Sequence, residues 1–132
     1  ISEVSGNLLL NEGIGELLDL ACGLGTPTAF SNANAYIGVG DSVTAEAATQ
    51  TDLQAASNKT YKAMAASYPS RTAQTVTWRA VFGSADANYA WQEFSVANAS
   101  SGTGKNLNRK VSNQGTKASG QTWTLDLAIT LS

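Results

Sequence analysis

Near the end of the chain Trp123, Leu125, Leu127, Ile129 and Leu131 alternate with Thr122, Thr124, Asp126 and Thr130. A two-residue period of this length fits only a β-strand with one face buried and one wet, because successive side chains of a strand point to opposite faces. Residues 74–82 repeat the pattern, with Val76, Trp78, Ala80 and Phe82 set against Thr75, Thr77 and Arg79. In both segments the tryptophan shares the parity of the aliphatic residues, so Trp78 and Trp123 are expected in the core. Shorter strands are predicted over 36–40, 59–64, 89–97 and 107–111, separated by Gly, Ser, Asn and Pro turns such as Tyr68-Pro69-Ser70. The face of the 89–97 strand is ambiguous. Tyr89, Trp91, Glu93 and Ser95 share one side, and Ala90, Gln92, Phe94 and Val96 the other.

One helix is predicted, over about 7–22. Asn7 is positioned to cap it, Leu10, Ile14, Leu17, Leu18 and Ala21 fall on one face, and Gly23 follows where a C-terminal cap belongs. Gly13 and Gly15 each weaken it by roughly 1 kcal/mol relative to alanine, so packing must hold it. Cys22, at its end, is expected to be a small buried hydrophobe. Residues 23–34 read as a loop, 41–58 as a connection with a turn of helix around 52–56, and 99–106 as a hairpin loop. The expected fold is mainly β, an antiparallel, jelly-roll-like β-sandwich with one N-terminal α-helix. It forms a single domain over 1–132, with the sandwich from about 35 onward.

Composition narrows the chemistry. There is no histidine, one cysteine and one methionine among 132 residues. The usual general base, the commonest metal ligand and any internal disulfide are therefore missing. Gly40-Asp41-Ser42-Val43 resembles the nucleophile block of a lipase and esterase family, but that serine needs a histidine to take its proton. The better reading is a strand exit that Gly38 and Gly40 permit, followed by a side-chain-supported turn. Gly38-Val39-Gly40 has Val43 where a nucleotide loop needs its third glycine. Asn58-Lys59-Thr60 and Asn98-Ala99-Ser100 match the N-glycosylation pattern, which matters only in a eukaryotic secretory setting. We expect no catalytic residue, no bound metal and no cofactor. Acid pairs capable of glycoside hydrolysis are the one enzymatic possibility that spatial separation alone decides.

Charge is unevenly spread. Residues 1–58 hold seven acids (Glu3, Glu12, Glu16, Asp19, Asp41, Glu46, Asp52) and no base, and residues 59–132 hold eight bases and three acids, giving −7 and +5. The net −2 argues against a partner bound by neutralising phosphates. No apolar run approaches the ~20 residues of a bilayer span. Neither nucleic acid nor membrane is an expected partner. Within one copy the acidic elements should face the basic ones; repeated in a ring or lattice they would link neighbours.

The order of several blocks resembles small virion proteins of tailed bacteriophages. The blocks are Asn7-Leu8-Leu9-Leu10-Asn11-Glu12-Gly13, Tyr36-Ile37-Gly38-Val39-Gly40-Asp41-Ser42 with Thr44-Ala45, and Gln50-Thr51-Asp52-Leu53. Val76-Thr77-Trp78-Arg79-Ala80-Val81-Phe82-Gly83, Trp91-Gln92-Glu93-Phe94, Asn98, Leu107-Asn108-Arg109-Lys110-Val111 and the closing 123–132 continue it. The resemblance covers nearly the whole chain and implies a virion location, on the capsid surface or the tail, without a catalytic motif. Two roles follow as expectations. The first is a capsid decoration, or cement, protein that forms a homo-oligomer, a trimer, and seats on the major capsid protein. The alternative is a tail-fibre, spike or baseplate module binding a host receptor or glycan. The residues expected to form the assembly interface are Tyr89, Trp91, Arg109, Lys110 and Lys117.

Overall fold

In the computed structural model, which describes residues 2–4 and 8–131, two β-sheets face each other across one apolar core. In chain order the elements are β1 (Ser2–Val4), β2 (Leu8–Leu9), α1 (Asn11–Cys22), β3 (Tyr36–Gly40), β4 (Lys59–Ala63), β5 (Ser70–Thr72), β6 (Thr75–Phe82), β7 (Glu93–Ala97), β8 (Asn108–Val111) and β9 (Trp123–Thr130). One sheet has the order β1-β9-β6-β5 and the other β2-β8-β7-β3-β4. Every pairing is antiparallel except β1 with β9. The protein is mainly β, a two-sheet sandwich with one helix.

The two alternating segments pair with each other along their whole length, from Thr75 opposite Thr130 to Phe82 opposite Trp123. Trp78, Ala80, Phe82, Leu125, Leu127 and Ile129 are buried. Trp123 is half-buried and packs on that core. On the wet face Arg79 lies opposite Asp126 and holds it with two hydrogen bonds of 2.6 and 2.8 Å.

The helix differs from its expected form at both its start and its face. Leu8 and Leu9 pair as a strand with Arg109 and Asn108, so α1 begins at Asn11, and the expected cap Asn7 lies outside the described residues. Leu10 holds the N-cap position with no side-chain cap; the first helical N–H, of Asn11, donates instead to the Ala48 carbonyl at 2.8 Å. Gly23 closes the helix in the left-handed conformation, as its position predicted. The buried side is Leu10 and Gly13, with Leu17 and Leu20 packed against the core, while Ile14 (40% exposed), Leu18 (58%) and Ala21 face outward. The reason is backbone contact: a Cβ at Gly13 would stand 2.4 Å from the Leu107 carbonyl oxygen, so the helix rests on its glycine and is rotated accordingly. Cys22 is exposed, not buried.

Residues 41–58 contain no helical turn. They lie over the outer face of the second sheet, burying Leu53 and Ala55, and leave β7 covered on both sides. That contact needs the β3 glycines. A Cβ at Gly38 would meet Tyr61 and Leu53 at 2.6 and 2.9 Å, and one at Gly40 would stand 2.2 Å from a Glu93 carboxylate oxygen. The expected strand over 89–97 begins only at Glu93. Because 91 and 92 are not in strand geometry, Trp91 escapes the parity of β7 and joins Phe94 in the core, edge-on to Phe82 and Trp123 at 4.9 Å each. Opposite, β8 carries a bulge. Phe94 pairs with Lys110, but Ala97 bridges Asn106, and in the gap the Val96 N–H donates to the Asn108 side chain at 2.9 Å.

Candidate functional site

Beneath the 41–58 covering, Glu93 and Arg109 form an ion pair in which neither side chain is exposed. Arg109 Nε donates to Glu93 Oε1 at 3.0 Å, and Nη2 lies 2.9 Å from the same oxygen, off the line a hydrogen bond needs. Glu93 also accepts the N–H groups of Gln54 (2.7 Å) and Ala55 (2.8 Å). Arg109 Nη1 donates to the Thr44 carbonyl at 2.7 Å and to Gln50 at 3.3 Å. Both charges thus clamp a covering segment that has no secondary structure of its own. A buried pair roughly offsets its own desolvation, but loss of one partner strands the other charge, at about 3–5 kcal/mol.

An open groove of ≈ 520 Å³ borders this layer, lined by Asp52, Lys59, Tyr61 and residues 100–103 of the β7–β8 loop. Lys59 Nζ donates to Asp52 Oδ2 at 2.6 Å, and the Tyr61 hydroxyl donates to Asp52 Oδ1. The same hydroxyl accepts from Asn106 Nδ2 at 3.1 Å. Burial, then the neighbouring Asp52 carboxylate, pushes the Tyr61 phenol well above its ordinary value, so it remains a donor. Gly102 stands directly against Asp52, where a Cβ would overlap the carboxylate at 2.2 Å. The groove offers carboxylate, ammonium and hydroxyl groups for hydrogen bonding.

A second concavity is apolar. Between α1 and the sandwich a socket of ≈ 180 Å³ is lined by Leu17, Leu20, Phe30, Val76, Trp78, Leu107, Ile129 and Leu131, with Gln74 at its edge. Leu131 is 52% exposed, and on the outer side of α1 Ile14 and Leu18 are exposed as well.

The residues expected to form an assembly interface are not brought together at the surface. Trp91 and Arg109 have no exposed surface and Lys117 is 1% exposed, so these three belong to the interior. Lys117 Nζ donates to the Gly83 carbonyl (2.6 Å) and Asn88 Oδ1 (2.8 Å), tying the loop after β6 to the segment before β9. The Tyr89 hydroxyl donates to the Val39 carbonyl at 3.0 Å and lies 2.8 Å from Thr60 Oγ1; burial pushes its phenol up to about 12. Lys110 remains partly exposed. Sequence reasoning missed the α1 surface because leucines at 17, 18 and 20 fit two helix faces equally well.

The charge split resolves mostly through neutral donors. Glu12 accepts the Asn106 N–H at 2.7 Å, Glu16 the Asn98 amide at 2.8 Å and Glu46 the Val111 N–H at 3.0 Å. Among the described residues only Lys59–Asp52 is an ion pair between the halves; Lys62–Asp86, Arg79–Asp126 and Arg109–Glu93 lie within the second. Burial raises the Glu12 carboxyl above its ordinary value despite the Asn106 N–H, whereas the Val111 N–H leads the lowering of Glu46.

Comparison of the chain with known protein families, with curated proteins and with solved structures gave no match.

Proposed function

We propose that this protein is a structural component of a tailed-bacteriophage virion, a capsid decoration protein that self-associates and seats on the head. The observation that carries this reading is α1. It is apolar on both sides, with Leu17 and Leu20 against the core, where they also line an open apolar socket, and Ile14 and Leu18 in solvent. A helix of this kind on a closed sandwich is suited to contact with another protein. The polar interior supports a non-catalytic role, since Glu93, Arg109 and Lys117 are all engaged in holding loops. The block resemblance supplies the virion setting.

A tail-fibre or baseplate module is the second reading, favoured by one observation. The Asp52–Lys59–Tyr61 groove carries the hydrogen-bonding groups that a receptor glycan would use. Gold-labelled antibody against the protein on intact virions separates the two. Decorated heads are expected; label confined to the tail favours the glycan reading, and unlabelled virions overturn both.

A further inference from the structure

We infer that α1 is the contact between two copies of this chain, each Leu18 filling the other's apolar socket. This rests on the self-association proposed above and names the surface that makes it. Knob and socket belong to the same helix: Leu17 and Leu20 line the socket, and Leu18, 58% exposed, stands between them in sequence. Two such helices side by side satisfy each other reciprocally, which is the geometry of a two-fold contact and takes the place of the trimer that the resemblance implied. Ile14, Leu18 and Cys22 form one i, i+4, i+8 ridge, the element that commonly packs into a facing helix groove. The socket's ≈ 180 Å³ is the scale of a single apolar group.

Charge fixes the occupant as a second copy. Asp19 follows Leu18 on the helix and, among the described residues of its own copy, makes no ion pair. Arg71 pairs across the β5–β6 hairpin with Val76, and cross-strand partners share a face. Val76 lines the socket, so Arg71, exposed and bonded among the described residues to the Ala73 carbonyl alone, stands at its edge. When Leu18 enters a partner's socket, Asp19 comes to a rim that carries an exposed arginine. The acidic N-terminal and basic C-terminal parts then meet between copies at one defined point.

The test is mass by light scattering over a concentration series, with the chain at 13.7 kDa. The wild type should approach twice that mass, and Leu18→Lys, folded by circular dichroism, should remain at one copy and weaken association at least tenfold. Asp19→Arg alone should weaken it several-fold, and Asp19→Arg with Arg71→Asp should restore it. A short bismaleimide should link copies through Cys22, the single cysteine, which is exposed on the same ridge. A wild type that stays at one copy throughout, or an oligomer indifferent to both Leu18→Lys and Asp19→Arg, overturns the inference. Decorated heads with a monomeric protein would overturn this contact and leave the head role standing; a two-copy protein absent from virions would do the reverse.

Discussion

β9 and β7 are both central strands of their sheets, yet they are built on different terms. β9 is covered on one side only, so threonine and aspartate can occupy its outer positions and its alternation is complete. β7 is covered on both sides, by the core and by residues 41–58, and all five of its residues are buried. A polar group on the outer side of β9 has water as a partner; one on the outer side of β7 must find a partner in the protein. That is why Arg79–Asp126 lies at the surface of one sheet and Glu93–Arg109 beneath the covering of the other. An irregular segment can therefore turn a sheet face into interior, provided each buried charge is answered.

The largest expected effect tests that requirement. Arg109→Met should cost about 3–5 kcal/mol, because Glu93 is left charged and buried, and should expose the 41–58 segment to proteolysis. Arg79→Met, at the partly buried pair on the open face, should cost clearly less, because water still reaches the Asp126 carboxylate. Equal losses in the two variants would break the comparison.

Space beneath the covering is tested next. Gly40→Ala places a methyl against the Glu93 carboxylate and should destabilise by about 1–3 kcal/mol. The urea midpoint and amide exchange in 41–58 report it. A variant as stable as wild type would show that the segment lifts freely.

The third prediction concerns pH. Burial pushes the Tyr89 phenol from its ordinary 10.0 up to about 12 in the folded protein. Above pH 10 the unfolded chain loses its proton first, so stability falls as pH rises through this window and levels off beyond it. Tyr89→Phe should flatten the fall in Tm between pH 10 and 12, leaving the part due to Tyr61, whose phenol is also raised. An unchanged slope would place the alkaline transition elsewhere.

The smallest effect lies on α1. Nothing approaches a Cβ built at Gly15, so Gly15→Ala should stabilise by up to about 1 kcal/mol, read as a small rise in Tm at matched concentration. Gly13→Ala, against the Leu107 backbone, should do the opposite.

These contrasts also explain what could be read in advance. β6 and β9 were legible because each has one wet face, and water writes the period into the sequence. Trp91 was not, because its burial depends on backbone that leaves strand geometry just before Glu93. The face of α1 was misread because its orientation is set by a glycine resting on a carbonyl, and a glycine adds nothing to an apolar periodicity. The groove around Asp52 joins residues 52, 59 and 61 to the 100–103 loop, and no local spacing signals that contact. In the sequence Gly38 and Gly40 read as turn formers, whereas in the fold they admit a neighbouring layer.

The register of β9 has a kinetic consequence. Both of its neighbours are remote in sequence, one at the start of the chain and one in its middle, with Ser2 lying beside Leu125 and Thr75 beside Thr130. Neither contact can reward the chain until a long loop has closed, so the transition state must gather distant segments before much apolar area is covered. Folding on the order of milliseconds to seconds is expected, slower than a helical protein of this length. During that interval the alternating strand offers its open edge to any neighbour, and crowded synthesis of many copies would place a premium on closing it quickly.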